Sequence, residues 1–141
     1  MKYIQSFIKS MGANGCYFIC LCKLGEEITK KEVDYLRIAE KSINNGFIEF
    51  NKKNYDDKNN FYVKKPWGVL ELITGESWNV RKEVGIYDAK ENEFEVWFWA
   101  TSQANADKGI GHFTTANDNL LQNSNTVKKG KVYSKRIFTR K

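Results

Sequence analysis

An almost unbroken apolar run, Cys16 to Leu24, follows the polar start of the chain and meets Gly25. A run of this length between glycines predicts a buried helix starting at Cys16. Gly12-Ala-Asn-Gly15 predicts a turn directly ahead of it. Thr29-Lys-Lys-Glu32 has the spacing of a capping box, so a second helix is expected from about Lys30. Val33, Leu36, Ala39 and Ile43 would form its apolar face, and Asn45-Gly46 its end. Phe47 to Phe50 suits a short strand, and residues 51–60 a polar loop. Pro66, the sole proline, fits the first turn of a third helix that runs through Ile73 and stops at Gly75.

Periodicity then changes from helical to alternating. Trp78 to Tyr87 reads as strand or extended loop. Glu93 to Ala100 alternates, with Phe94, Val96 and Phe98 on one face and Trp97 and Trp99 on the other. Large apolar groups on both faces predict an interior strand. Asp107 to Gly109 suits a turn, and Ile110 to Thr115 a strand carrying His112. Asn117-Asp118-Asn119 suits a hairpin turn, with Leu120 to Gln122 returning beside that strand. Lys129-Gly130 turns the chain into a last strand, Lys131 to Phe138. Helices first and an antiparallel meander after them predict a single α+β domain over residues 1–141.

Composition supports a packed domain. Hydrophobic residues make up 41% of the 141 and aromatics 14%, enough apolar surface for a core. No apolar run approaches the roughly 18–20 residues that span a bilayer, so no membrane is expected. The N-terminal stretch is too polar for a secretory signal. Three clustered cysteines do not suggest a disulfide framework, and a reducing cytoplasm is the expected setting.

The formal charge is +6, and Lys128 to Lys141 carries seven basic residues without an acid. Such a tail suits an edge strand guarded by lysines. It also suits a patch for a host protein or nucleic acid.

The candidate chemistry lies in Cys16 and His112. A thiol attacks as thiolate, and a helix N-terminus favours that anion through its unpaired N–H groups and macrodipole. The same N–H groups could donate to an oxyanion. His112 is the sole histidine, hence the sole imidazole able to serve the thiol as base. Cys20 and Cys22 would point about 200° apart on a helix, and their spacing matches no common zinc pattern, so core packing is expected of them and no metal or cofactor. Trp67, Trp78, Trp97 and Trp99 suit core use, or less simply a substrate groove.

The blocks GANGCYFICL, ITGESWNVRKE, IGHFTTANDN and SNTVKKGKVYSKRIF resemble successive blocks of a small phage- and plasmid-borne family of unknown function. That family is similar to papain-like cysteine peptidases, including the bacteriocin-processing double-glycine peptidases. The resemblance implies a papain-like fold, N-terminal helices packed on a C-terminal antiparallel sheet. It implies Cys16 as nucleophile and His112 as base. For the third member, Asn123 lies eleven residues after His112 and suits a partner strand, and Asp118 lies six after it, in the turn. Asn123 is preferred, with Asp118 the alternative. Where the papain-like pattern places an oxyanion-donating glutamine, this chain has Ser10; Gln5 and Asn14 are the nearby amides.

Two functions are therefore expected to compete. One is a hydrolase that cleaves a peptide or isopeptide bond in a peptide or protein substrate. The other is a non-enzymatic inhibitor or binding module, encoded by a mobile element, that engages a host protein or nucleic acid through a basic, aromatic-rich surface.

Overall fold

A computed structural model of the protein describes residues 15–54, 56–116 and 125–141. The chain divides into two compact units, Met1–Ser77 and Trp78–Lys141. Among the described residues the first unit is helical. The second holds a four-stranded antiparallel sheet and two short helices.

Helix α1 (Cys16–Thr29) is the apolar run. Phe18, Cys20, Leu21, Cys22 and Leu24 are buried on nearly all its sides, as a core helix requires. It does not stop at Gly25. A Cβ there would overlap the Ile73 side chain, so the glycine serves close approach to a neighbouring helix rather than a stop. The actual stop is Lys30, in the left-handed region at φ 60°, whose N–H donates to the Glu26 carbonyl at 2.8 Å.

Thr29-Lys-Lys-Glu32 is accordingly no capping box. Thr29 belongs to the last turn of α1, and its hydroxyl donates to the Gly25 carbonyl at 2.8 Å. Helix α2 (Tyr35–Asn44) starts later, capped by Asp34, which accepts from the Arg37 N–H at 3.2 Å. Glu26 fastens the turn between them: its carboxylate accepts from the Val33 N–H and the Tyr35 hydroxyl, each at 3.1 Å. The later start rotates the inward face, so Ile38, Ala39 and Ser42 are buried and Leu36 is exposed.

Asn45 and Gly46 end α2 as expected. The expected strand at Phe47 to Phe50 amounts to one bridge, Ile48 with Val63. Between these two residues runs a polar loop closed by side-chain caps, with Asn60 buried and accepting from the Asn51 N–H at 2.7 Å. Helix α3 (Pro66–Thr74) matches its sequence signals, proline in the first turn and Gly75 beyond the end at φ 74°. Gly68 lets it lie against the Phe47 ring.

The second unit contains β1 (Trp78–Val84), β2 (Phe94–Ala100), α4 (Gln103–Asp107), β3 (His112–Thr115), α5 (Asn125–Lys129) and β4 (Lys131–Arg140). The sheet order is β1-β4-β2-β3, so it is not a meander: the last strand enters between the first two. Nor is the basic C-terminal strand an edge. Ile137 and Phe138 point to opposite faces and both are fully buried, as an interior strand demands. Several of its cations lie over rings, although only Lys135 among them is buried. Lys135 sits 4.9 Å from the Trp97 centroid, Arg136 5.4 Å from Phe113, and Arg140 5.1 Å from Trp78. Strand β2 is interior, as its two-sided pattern predicts.

Candidate functional site

Cys16 is the first residue of α1, behind the N-cap Gly15. Gly15 supplies no side-chain cap to this helix end, and the first turn of the helix holds no acidic residue. A 14-residue helix thus presents its positive end around this thiol with no carboxylate in the turn to offset it. Cys16 is half-buried, whereas Cys20 and Cys22 are fully buried. Burial pushes the Cys22 thiol far above its ordinary range, reinforced by the Glu26 charge. Both deeper cysteines are core groups, as their spacing implies. None of the three forms a disulfide.

His112 opens β3 and faces Trp99 across the ladder to β2. Register puts Trp97 opposite Thr114, so Trp97, Trp99, His112 and Thr114 share one face of the sheet. The two indoles stand 6.2 Å apart, and the Trp99 N–H donates to the Thr114 hydroxyl at 2.9 Å. The Trp97 N–H donates to the Glu95 carboxylate. His112 itself is half-buried, beside this aromatic shelf. Gly111 lets the chain enter β3 so close to β2 that a Cβ would overlap the Trp99 carbonyl oxygen. Of the other tryptophans, Trp78 is core and Trp67 is exposed.

Cys16 belongs to the helical unit and His112 to the sheet unit. Asn123, Asp118, Asn14 and Gln5 lie outside the described residues. Among the described residues, no group of three or more histidines, cysteines or acids could hold a metal ion. None of their helices is long and apolar enough to cross a membrane.

A second polar cluster had no clear signal in the sequence. Glu93, the last residue of the β1–β2 connection, accepts from the Lys90 N–H at 3.0 Å and the Tyr87 hydroxyl, and its other oxygen accepts from Arg81 at 2.6 Å. These contacts, the backbone bond first, hold its carboxyl at about 2. Beside it the Lys135 ammonium, largely buried, donates to the Tyr87 carbonyl at 2.7 Å and pairs with Glu95 at 3.4 Å. Only the register of β4 against β2 brings Lys135 and Glu95 near each other. The one available hint is a lysine two residues before Ile137 in an apolar strand, on the same face. The cluster fastens residues 85–93 to the sheet and has the character of a structural clasp.

The chain matches, over residues 2–140, the family model described as "Protein of unknown function, DUF261". It belongs to that family. No curated protein and no solved structure matches it. The DUF261 match spans both units, so Cys16 at the helix start and His112 at the strand start both fall within the region that defines the family.

Proposed function

We propose that this DUF261 protein is a thiol-dependent hydrolase of papain-like type, with Cys16 as nucleophile and His112 as base, acting on a peptide or isopeptide bond. The observation that carries the reading is Cys16 opening α1 behind a glycine, with no acid in the first turn. Such a position stabilises the thiolate and aims backbone N–H groups at a nearby oxyanion. Attack on the acyl carbon forms the sulfur–carbon bond and pushes the carbonyl electrons onto oxygen. Collapse expels the amine, which takes its proton from the His112 imidazolium and leaves a thioester. Water, deprotonated by the same imidazole, then releases the acid and restores the thiol. Asn123, or Asp118, would hold the imidazole tautomer, and Asn14 or Gln5 would add an oxyanion donor.

The test is modification by iodoacetamide between pH 6 and 8, mapped by mass spectrometry. Cys16 is expected to react while Cys20 and Cys22 do not. His112→Ala should slow labelling of Cys16 near neutral pH by about tenfold, as loss of a thiolate-stabilising partner implies. An unchanged rate would remove His112 from the reading.

A second reading, a non-catalytic module that engages a host protein or nucleic acid, finds support in the exposed Lys128 and Lys129 of α5. Steep weakening of binding to an RNA or DNA oligonucleotide with added salt would favour it.

A further inference from the structure

We propose that the groove beside the C-terminal ends of α1 and α3 docks an acidic helical segment of a partner protein. The groove has a volume of about 370 Å³ and lies wholly within the helical unit. That volume falls within the range of ligand clefts, about 300–1,000 Å³. Its apolar floor includes Val33, Leu72 and Ile73, all half-buried, so hydrocarbon remains open to a partner.

Lys31, Arg37 and Lys41 line the groove, and all three are exposed. None of them forms an ion pair with a carboxylate among the described residues. Two acids also line it. Asp34 is engaged in capping α2 through the Arg37 N–H, which leaves Glu32 as the only carboxylate on the rim without that duty. Three cations against two carboxylates leave the lining positive by one charge, and the occupant it favours is negative.

Spacing narrows the occupant further. Arg37 and Lys41 are four residues apart on α2, hence on one face and about 6 Å apart along the axis. Two carboxylates one helical turn apart match that interval. An apolar side chain on the same face of the partner helix would meet the floor. The site is separate from the thiol: Thr29 lines the groove and Cys16 opens the same helix, about 20 Å away along its axis. Docking here holds a partner without engaging Cys16, so it stands whether or not the hydrolase reading does.

The experiment measures fluorescence anisotropy of the full-length protein with a labelled helical peptide. The peptide carries two glutamates one turn apart and leucines on the same face. A second peptide has glutamines in place of the glutamates. The glutamate peptide is expected to bind, and the glutamine peptide to bind about tenfold more weakly. Arg37→Glu with Lys41→Glu should weaken the first peptide at least as much, while Cys16→Ala leaves it unchanged. Circular dichroism confirms the fold of each variant, and Lys31→Gln serves if the double variant does not fold. Equal binding of both peptides, no binding of either, or unaltered binding to the charge-reversed protein would overturn the proposal. So would a short single-stranded RNA that binds as tightly and competes, since phosphate attraction would then suffice.

Discussion

On β4, Lys135, Arg136 and Arg140 each lie over an aromatic ring, whereas Lys31, Arg37 and Lys41 of the helical unit line an open groove with no carboxylate among the described residues paired to them. The two regions carry similar residue types and use them differently. In the sheet, alternate positions of an interior strand must point into covered layers, and a cation there survives by stacking. In the helical unit, the cations of α2 extend into solvent because its inward face is already filled by Ile38, Ala39 and Ser42. A charge count therefore misstates how much of this molecule is available to an acidic partner. Lys135 and Arg136 are drawn into the sheet, whereas Lys31, Arg37 and Lys41 stand exposed around the groove.

Glycines show the same contrast and yield the largest expected effect. Gly25 meets a side chain, Ile73, and Gly111 meets a backbone carbonyl, that of Trp99. Gly25→Leu should destabilise the protein by about 3 kcal/mol through overpacking between α1 and α3, read by urea denaturation. Gly111→Ala must move backbone, and should also change the environment of the neighbouring His112, visible as a shifted imidazole NMR signal. If Gly25→Leu costs nothing, the close approach of α1 to α3 is wrong.

Next in size is the cation comparison itself. Arg136→Gln removes a guanidinium that stacks on Phe98 and Phe113 and donates to the Ser134 hydroxyl at 2.9 Å. It should lower stability by about 1 kcal/mol. Lys41→Gln, on the open groove, should stay within about 0.5 kcal/mol of wild type. Equal losses in the two variants would erase the distinction drawn between the units.

A pH titration probes the clasp on the sheet. The folded carboxyl of Glu93 lies near 2, below its ordinary 4.5. Its contribution is thus complete above about 4.5 and is lost as pH falls toward 2. Glu93→Gln should be less stable than wild type at neutral pH, and the gap should close across that interval when denaturation is followed at several pH values. A gap independent of pH would mean that the ionised carboxylate is not what the clasp uses.

The smallest effect concerns the buried face of α2. The Ser42 hydroxyl is fully buried and has no hydrogen-bond partner among the described residues. Ser42→Ala should be neutral or stabilising by about 0.5 kcal/mol, from the gain in helix propensity and the removal of an unsatisfied group. A loss above about 1 kcal/mol would reveal a bond for that hydroxyl.

Much of the local structure could be read along the chain. The apolar run from Cys16, the proline and glycine that bracket α3, and the two-faced alternation of β2 are signals within one element, and all three elements form. The misreadings share a cause. Gly25 and Thr29-Lys-Lys-Glu32 look like punctuation locally, but the Ile73 contact and the Glu26 carboxylate make one continuous helix and a later start for the next. For the candidate site, the sequence indicated the helix start at Cys16 and the strand start at His112. It did not indicate the indole shelf of Trp97 and Trp99 beside the imidazole, which depends on the pairing of β2 with β3.

By itself the sequence determined where apolar periodicity begins and changes, hence three helices ahead of a set of strands and a cysteine at a helix N-terminus. Those features follow from interactions between residues a few positions apart. Only the tertiary structure decided that β4 enters between β1 and β2 and that its cations stack on rings. It also decided that a glycine in α1 admits a neighbouring helix. Strand order and helix crossing depend on contacts between residues far apart in the chain, and the alternation of a strand is the same whichever neighbour it finds.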